Sequence, residues 1–367
     1  MGSLSKALTA ILMLALCASA SIAEVLTIDA ELIDPDRQSI GAGGAPDAGG
    51  RVIRVRIRYD NQASAPAPLI LISHGGTGSV DGYTRGEHLG VAFAESGCIA
   101  MSVSHRASVP AGRHQLDRPA DVSFVIDALE SGALVLPDGA PAVDLARIGH
   151  TGHSYGAYTS HALGGATFEP PSVGGIERSD PRVDAIAPIS PQGADQFGFF
   201  DRGPDDHSWA SVDIPVCTFV GGAELDTNVL GTITRAGWRI EPYSRYSPAR
   251  DRLLFVIEGQ DHSDMWSTGS PEVEAFIAGT AAAFFEFTLR GEGTIGEIGT
   301  APHALGVSRS VRSTDFNGDG QRDFFDVASH LDALEGGDAE AEMTGDRPVS
   351  LSASDAVEFI EALEAAP

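Results

Sequence analysis

Short apolar runs alternate with stretches of helical periodicity over about 240 residues of this chain, from 51 to 290. The run at 51–60 alternates apolar and polar residues, as a half-exposed strand does. Later runs are continuously apolar, which is typical of strands buried on both faces; they lie at 67–78, 97–105, 183–191, 214–222 and 252–262. This alternation predicts an α/β fold, with a mostly parallel central sheet flanked by helices.

Turns that contain glycine or histidine follow the apolar runs directly. In a parallel α/β sheet, reactive groups collect in the crevice at the carboxyl ends of the strands. Helical periodicity is present at 117–129 and again in a closing segment at 270–290. We therefore expect a functional site where several of these turns meet, at the carboxyl edge of the sheet.

One of these turns, GHSYGAY at 152–158, has the pattern G-x-S-x-G between an apolar run and small helix-forming residues. A serine hydroxyl is a poor nucleophile unless it is exposed, deprotonated by a base and faced by donors for the oxyanion. A tight strand-to-helix turn would expose the Ser154 Oγ, and Gly152 and Gly156 would tolerate the crowding of the backbone. The positive end of the following helix would lie beneath the reacting centre. The pattern therefore predicts that Ser154 is a nucleophile.

An acid and then a histidine follow the nucleophile along the chain in sites of this kind. Asp226 comes just after one apolar run and His262 just after the next. His262 would accept the proton of Ser154, and Asp226 would hold the imidazole tautomer and stabilise the imidazolium. Glu224 and Asp261 are close enough in the sequence to compete with Asp226 for the role of the acid.

Two backbone N–H groups are needed to bind the oxyanion. One is expected from Tyr155, the residue after the nucleophile. The other is expected from the glycine turn SHGGTG at 73–78, where a strand ends. Gly76 is the favoured donor there, with Gly75 and Thr77 as alternatives.

These turns resemble those of the α/β-hydrolase superfamily, and the likeness covers roughly residues 50–290. The chain is most similar to the dienelactone-hydrolase-like branch, which includes platelet-activating-factor-acetylhydrolase-like proteins and the polyester-hydrolysing cutinases. LILISHGGTGS corresponds to the strand and oxyanion loop, GHTGHSYGAY to the nucleophile turn, GAELDT to the acid turn and EGQDHSD to the histidine turn. Polyester hydrolases carry a very similar acid turn in which the aspartate is the triad acid, so the resemblance implies Asp226 rather than Glu224.

The chain departs from the resemblance in two places. True dienelactone hydrolases use a cysteine nucleophile, whereas this chain has Ser154, which favours ordinary carboxylic esters as substrates. Cutinases have an aromatic residue in the oxyanion loop, where this chain has HGGTG. The family places its substrate-selecting residues in loops after the strands. The aromatic candidates for a pocket wall in such loops are Phe197, Phe199, Phe200, Trp209 and Trp266.

The chain is strongly acidic, with a formal net charge of −27. This charge argues against a nucleic acid or an anionic membrane as a partner, because the neutralisation of phosphate groups requires basic side chains. Residues 1–23 contain one lysine, an apolar run and small residues at the end, which is typical of a secretory signal peptide cleaved after Ala23. We therefore expect a secreted, periplasmic or cell-surface protein whose mature chain does not span the membrane.

The composition of the chain changes after residue 290. Residues 291–312 are polar and rich in glycine, which predicts a linker between a catalytic domain at 24–290 and a small helical module at 313–367. Within the module, DFNGDGQRDFFD at 315–326 matches a calcium loop by position, with a glycine at the sixth residue. The predicted Ca²⁺ ligands are Asp315, Asn317, Asp319, Gln321 (through its carbonyl) and Asp326.

A weaker second copy of the loop, at 342–363, lacks the first two ligands, and no second ion is expected there. The tail resembles a type I dockerin-like module with an EF-hand-like loop. That resemblance implies a cohesin-like protein partner or attachment at the cell surface.

The residues predict an exported serine esterase in which Ser154 is acylated and water releases the acid, with no cofactor for the catalysis. A peptidase or amidase on the same scaffold is one alternative, because the pocket sets the preference for a leaving group. A non-catalytic binding protein is a second alternative, which the complete serine, acid and histidine turns disfavour.

Overall fold

The structure, a computed structural model, describes residues 24–41, 43–64, 66–169, 176–197, 208–247, 250–299 and 305–312. The predicted signal peptide, the calcium loop at 315–326 and the rest of the C-terminal module lie outside these residues. The observed fold is therefore that of the part predicted to be catalytic, together with much of the segment predicted to be a linker.

In chain order, the strands in the described ranges are β1 (Val25–Asp34), β2 (Gln38–Ile40), β3 (Arg51–Asp60), β4 (Ala67–Ser73), β5 (Ile99–Val103), β6 (Ala107–Val109), β7 (Val143–His153), β8 (Val183–Ile189), β9 (Val216–Gly221), β10 (Arg252–Ile257) and β11 (Val307–Arg312). The α-helices are α1 (Glu87–Glu95), α2 (His114–Glu130), α3 (Tyr155–Leu163) and α4 (Pro271–Arg290). None of the helices found in the described residues is long and apolar enough to cross a membrane.

Nine of these strands form one sheet in the order β1-β3-β5-β4-β7-β8-β9-β10-β11, while β2 and β6 form a small separate pair. The six central strands, from β5 to β10 in the sheet order, are parallel to one another. Antiparallel strands extend both edges, β3 and β1 on one side and β11 on the other. The prediction of an α/β fold with a mostly parallel sheet is confirmed.

The sheet separates two hydrophobic cores. Along β4, Leu69 and Leu71 pack in one core and Ile70 and Ile72 in the other, because successive side chains of a strand point to opposite faces. The first core contains buried residues of α2 and α3, and the second contains those of α1 and α4. Both faces of the central strands are therefore buried, which explains their continuously apolar sequences.

The segment predicted as a linker, 291–312, is in part a component of the sheet. Its last six described residues form β11, which pairs antiparallel with β10. Ile295 and Ile298, just after α4, are almost fully buried in the second core. The predictions of a linker over 291–312 and of a catalytic domain that ends at 290 are therefore wrong. An edge strand needs few apolar residues, so its sequence reads as polar.

The order of the strands changes direction at β4. From β4 the chain proceeds to β5 on one side and later returns to β7 on the other side. The crevice outside the carboxyl ends of two such strands is where ligands bind in open α/β sheets. Ser73 ends β4 and His153 ends β7 at this crevice, so the loop at 74–78 and the turn at 152–158 lie side by side.

Candidate active site

The turn around Ser154 has the geometry that its sequence predicts. β7 ends at His153 and α3 begins at Tyr155, so one residue makes the change from strand to helix. That residue, Ser154, has φ 55° and ψ −116°, a backbone conformation that residues other than glycine rarely adopt. Its side chain is partly exposed, whereas its neighbours in the turn are buried. Such strain is typical of a serine held at the tip of a strand-to-helix turn.

The two glycines of the turn are required by the close approach of β4. A Cβ atom at Gly156 would lie 2.0 Å from the carbonyl oxygen of Ser73, and one at Gly152 would lie 2.6 Å from it. Both distances are far below van der Waals contact, and the obstacle is backbone that belongs to a central strand. The glycines therefore allow β4 and the serine turn to touch, and neither adopts a positive φ.

His262 is paired with Glu224. The Nδ1 atom of His262 lies 2.6 Å from the Oε2 atom of Glu224, and the carboxylate is almost fully buried. His262 itself follows β10, and Glu224 follows β9, so two neighbouring strands bring the pair together at the carboxyl edge. A carboxylate in this position fixes the imidazole tautomer with its proton on Nδ1, which leaves Nε2 able to accept a proton.

Glu224 is held in place by three further donors. Its Oε1 atom accepts hydrogen bonds from the Ser190 hydroxyl and, at 3.3 Å, from the backbone N–H of Gly221. The guanidinium of Arg239, itself fully buried, lies 2.8 Å from Oε2. Burial lowers the pKa of Arg239, and the attraction of Glu224 opposes that shift. Buried ion pairs of this kind require well-placed hydrogen bonds, and these donors supply them.

The prediction that Asp226 pairs with His262 is wrong. The side chain of Asp226 is exposed, and its Oδ1 atom accepts a hydrogen bond of 2.7 Å from the backbone N–H of Gly237. Asp261, the other rival, accepts hydrogen bonds from backbone N–H groups of its own turn, at Ser263 and Asp264. Glu224 takes the position because it is the acidic residue of the turn that lies in the interior, among donors that compensate its charge.

His153 connects the serine turn to the histidine turn. Its Nε2 atom donates a hydrogen bond of 2.8 Å to the backbone carbonyl of His262, and the two rings lie 4.5 Å apart between centroids. The ring also stacks on Trp266, with centroids 5.3 Å apart. Burial lowers the pKa of His153 well below its usual value, so this imidazole is neutral. The contact places His262 directly beside the residue that precedes Ser154.

The glycine loop after β4 lies against Ser154. A Cβ atom at Gly75 would be 3.2 Å from the Cβ atom of Ser154. Gly76 has φ +80°, which glycine adopts without strain. Within the described ranges, the backbone N–H groups of Gly76 and Tyr155 donate no hydrogen bond to the protein. Both are therefore able to bind an anion beside Ser154.

His74 supports this loop, as the sequence suggests. Its Nδ1 atom donates to the carbonyl of Gly75 at 2.7 Å, and its Nε2 atom accepts the backbone N–H of His105 at 3.0 Å. The two contacts together require a neutral ring with the proton on Nδ1. Burial lowers the pKa of His74 well below its usual value, which agrees with this assignment.

A buried chain of hydrogen bonds lies beneath the loop. The Ser73 hydroxyl lies 2.9 Å from the Nε2 atoms of both His105 and His150, and the Nδ1 atom of His105 lies 3.0 Å from Asp121. Burial lowers the pKa of His105 to about 3, so the ring is neutral and donates to the carboxylate through Nδ1. Burial would favour the protonated form of Asp121, but Arg51 outweighs it and holds the pKa of that carboxyl far below its usual value.

The aromatic residues predicted to form a pocket wall have different places. Phe197 stacks on the Tyr155 ring with centroids 4.0 Å apart, next to the serine turn. Trp266 lies beside the histidine turn, as described. Trp209 is fully buried in the first core and therefore does not line a pocket wall. Phe199 and Phe200 lie outside the described residues.

The structure thus brings together a strained serine, an imidazole–carboxylate pair and two N–H groups that could bind an oxyanion. Sequence reasoning missed Ser190 and Arg239 as parts of this site. Their roles depend on burial next to Glu224, which the local sequence does not signal. In the part of the chain that the structure describes, no group of three or more acidic, histidine or cysteine side chains could hold a metal ion.

No protein-family model matches the chain, and a search of curated proteins found no match. Among solved structures, the chain is similar to a ferulic acid esterase from Streptomyces cinnamoneus, with a TM-score of 0.53 and 17% sequence identity. The likeness covers 79% of this chain and 98% of the esterase chain. At this identity the likeness concerns the fold alone, and it agrees with the mostly parallel α/β sheet described above.

The pairing of His262 with Glu224 can be tested by proton NMR of the histidine rings. A proton held between Nδ1 and a buried carboxylate at 2.6 Å should resonate strongly downfield, because short charge-assisted hydrogen bonds deshield the proton. We expect the Glu224→Gln variant to lose this resonance, and the matched Asp226→Asn variant to keep it. The opposite result would restore Asp226 as the partner.

Proposed function

We propose that the protein is a serine hydrolase that cleaves carboxylic esters. The observation that carries the proposal is the His262–Glu224 pair, held beside the strained turn of Ser154. In the proposed reaction, the Ser154 Oγ attacks the ester carbonyl while the Nε2 atom of His262 takes its proton. Glu224 keeps the imidazole in the required tautomer and stabilises the imidazolium once it has formed.

The developing oxyanion would be bound by the N–H groups of Tyr155 and Gly76, which have no other partner in the described residues. His262 would then return the proton to the leaving alcohol, which departs and leaves Ser154 acylated. A water molecule, activated in the same way, would release the acid and regenerate the serine. Every step uses side chains and backbone groups of this chain, and no cofactor takes part.

The preference for esters over amides is supported by the departure from a cysteine nucleophile and by the fold shared with a ferulic acid esterase. That neighbour also suggests aromatic acyl groups as substrates to test first. The relationship to the dienelactone-hydrolase-like branch is part of the proposal and is supported by the motifs alone. One of these motifs, the acid turn GAELDT, is used differently here, because its glutamate faces the histidine.

The proposal predicts how four proteins compare in the hydrolysis of p-nitrophenyl esters. Ser154→Ala should lower kcat by about 10⁴-fold or more, because the nucleophile is lost. Glu224→Gln should lower kcat by about 10³–10⁴-fold, because an amide favours the wrong tautomer of His262. The matched Asp226→Asn variant should stay within about twofold of the unmodified protein, since its side chain is exposed and bonds to Gly237 rather than to His262.

A fluorophosphonate probe provides the control for this comparison. It should label the unmodified protein and leave Ser154→Ala unlabelled. Absence of labelling on the intact protein would favour a non-catalytic binding role. Faster cleavage of an anilide than of the ester with the same acyl group would favour an amidase or peptidase.

We also propose that the protein is exported and carries a calcium-binding tail. The signal-like sequence at 1–23 supports export, and the spacing of oxygen ligands at 315–326 supports the tail. An exported chain would begin at Glu24, which the intact mass of the mature protein checks. A cohesin-like or cell-surface partner for the tail is supported only by its resemblance to dockerin-like modules.

Calorimetric titration of the full chain with Ca²⁺ tests the tail. We expect one binding event, because only one loop keeps its full set of ligands. Asp319→Ala, which removes the ligand at the fifth position, should abolish the heat. Asp338→Ala, an acidic residue of the same module outside the loop, serves as the matched control and should leave it unchanged. Identical traces for the Asp319→Ala variant and the unmodified chain would reject the site.

A further inference from the structure

We propose that Arg118 of α2 is the positioning residue of the oxyanion-binding groups, because it contacts both of the segments that supply them. The inference rests on the proposed function and assigns a role to a side chain that no motif marks. The guanidinium has no exposed surface and lies directly behind the loop at 74–76.

Arg118 holds the glycine loop through its carbonyl groups. Its Nη2 atom donates to the carbonyl of His74, and its Nη1 atom donates to the carbonyl of Gly76 at 2.8 Å. Between them, the carbonyl of Gly75 accepts the Nδ1–H of His74 at 2.7 Å. Three successive peptide carbonyls of this loop are therefore bound on the protein side.

This arrangement decides where the N–H groups of the loop point. In a trans peptide, the C=O and the N–H of the same unit point in opposite directions. The carbonyls of His74 and Gly76 point to Arg118, so the N–H groups of Gly75 and Thr77 point away from it. The N–H of Gly76 in turn points away from the His74 ring, which binds the Gly75 carbonyl. None of these three N–H groups donates a hydrogen bond within the described ranges, and successive free N–H groups are what an anion-binding concavity requires.

Arg118 also holds the other half of the oxyanion site. Its guanidinium carbon lies 4.9 Å from the centre of the Tyr155 ring, in a cation–π contact, and its Nε atom donates to the Thr159 hydroxyl at 3.3 Å. Tyr155 and Thr159 both belong to α3, and the N–H of Tyr155 is the second proposed donor. One guanidinium therefore fixes the glycine loop relative to the first turn of α3.

The segment of α2 that carries Arg118 is itself tied to α3. Pro119 lies inside α2 and has no N–H to donate to the carbonyl of Gln115, four residues earlier. The Tyr158 hydroxyl of α3 donates to that carbonyl at 3.1 Å instead. The position of Arg118 is thus determined from both sides, by its own contacts and by this bridge between the helices.

Arg118 has no carboxylate in direct contact among the residues that the structure describes. Within the described ranges it forms no ion pair, and its hydrogen bonds go to two carbonyl groups and a hydroxyl. Burial lowers the pKa of Arg118 to about 10, so that it still carries its charge at neutral pH. The attraction of Asp121 opposes that shift of the pKa, but this carboxylate is itself bound by Arg37 and Arg51. A buried cation without a direct ion pair is costly for stability. Its position behind the oxyanion-binding groups is where a positive charge would favour a developing negative charge.

Ester hydrolysis by Arg118→Met and Arg118→Lys tests this role. Arg118→Met should lower kcat by about 10²–10³-fold with KM changed by less than about threefold, because the oxyanion-binding groups act only in the transition state. Affinity for an arylboronic acid, which forms a tetrahedral adduct with the serine, should fall by the same factor as kcat/KM. Arg118→Lys keeps the charge but cannot hold two carbonyls, and should lose about tenfold in kcat.

Arg58→Met is the matched control, because Arg58 is also a fully buried arginine and lies in β3 against α1, away from the loop. We expect it to change the free energy of unfolding and to leave kcat and the boronic acid affinity unchanged. Near-ultraviolet circular dichroism of each variant shows whether it is folded. If Arg118→Met does not fold, Arg118→Lys decides the matter.

Two results would overturn the role of Arg118 while leaving the proposed function intact. One is a folded Arg118→Met or Arg118→Lys variant with the kcat of the unmodified protein. The other is a loss of activity in which boronic acid affinity does not follow kcat/KM. An unmodified protein without serine-dependent hydrolysis and without fluorophosphonate labelling of Ser154 would overturn the proposed function, and this inference with it.

Discussion

The contact between the end of β4 and the serine turn is the constraint on which the site depends. Gly152 and Gly156 have no side chain, so the carbonyl of Ser73 can lie against the turn at a distance that no Cβ atom would allow. Because β4 and β7 are neighbours at the point where the strand order changes direction, this contact is also where the crevice opens. The loop that continues from Ser73 then has to pass beside Ser154, which brings the glycine loop next to that side chain.

The candidate site shows which features a sequence can signal locally. Ser154 and His262 are recognised because each lies directly after an apolar strand, and a strand end is a local property of the sequence. The choice between Glu224 and Asp226 is different, since both follow the same strand and both are carboxylates. It is decided by which one lies among buried donors, and Ser190 and Arg239 are 34 and 15 residues from Glu224 in the chain. A short motif contains no information about such distant partners.

The fold, too, has features that the local sequence signals and features that it does not. The central strands were predictable because they are buried on both faces and read as continuous apolar runs. The sequence of β11, VSRSVR at 307–312, predicts a linker rather than a strand, because β11 lies at the edge of the sheet and pairs with one neighbour only. In α2, the periodicity of the sequence predicts the helix, but it does not predict that Arg118 is buried. A basic side chain on a helix usually reaches solvent, and nothing in DRPADV indicates that Arg118 is the exception.

Two of the buried charges at the candidate site have opposite signs, and each is opposite to the charge that the proposed reaction creates beside it. Glu224 lies behind His262, where an imidazolium would form, and Arg118 lies behind the loop, where an oxyanion would form. The intervening histidines, His74 and His153, are kept neutral by burial, so they add no charge that would weaken this polarity. In a low-dielectric interior, fixed charges of this kind act without reorganising when the proton moves. Burying Arg118 without a direct ion pair destabilises the resting protein, and the same charge would stabilise the oxyanion in the transition state of the proposed reaction.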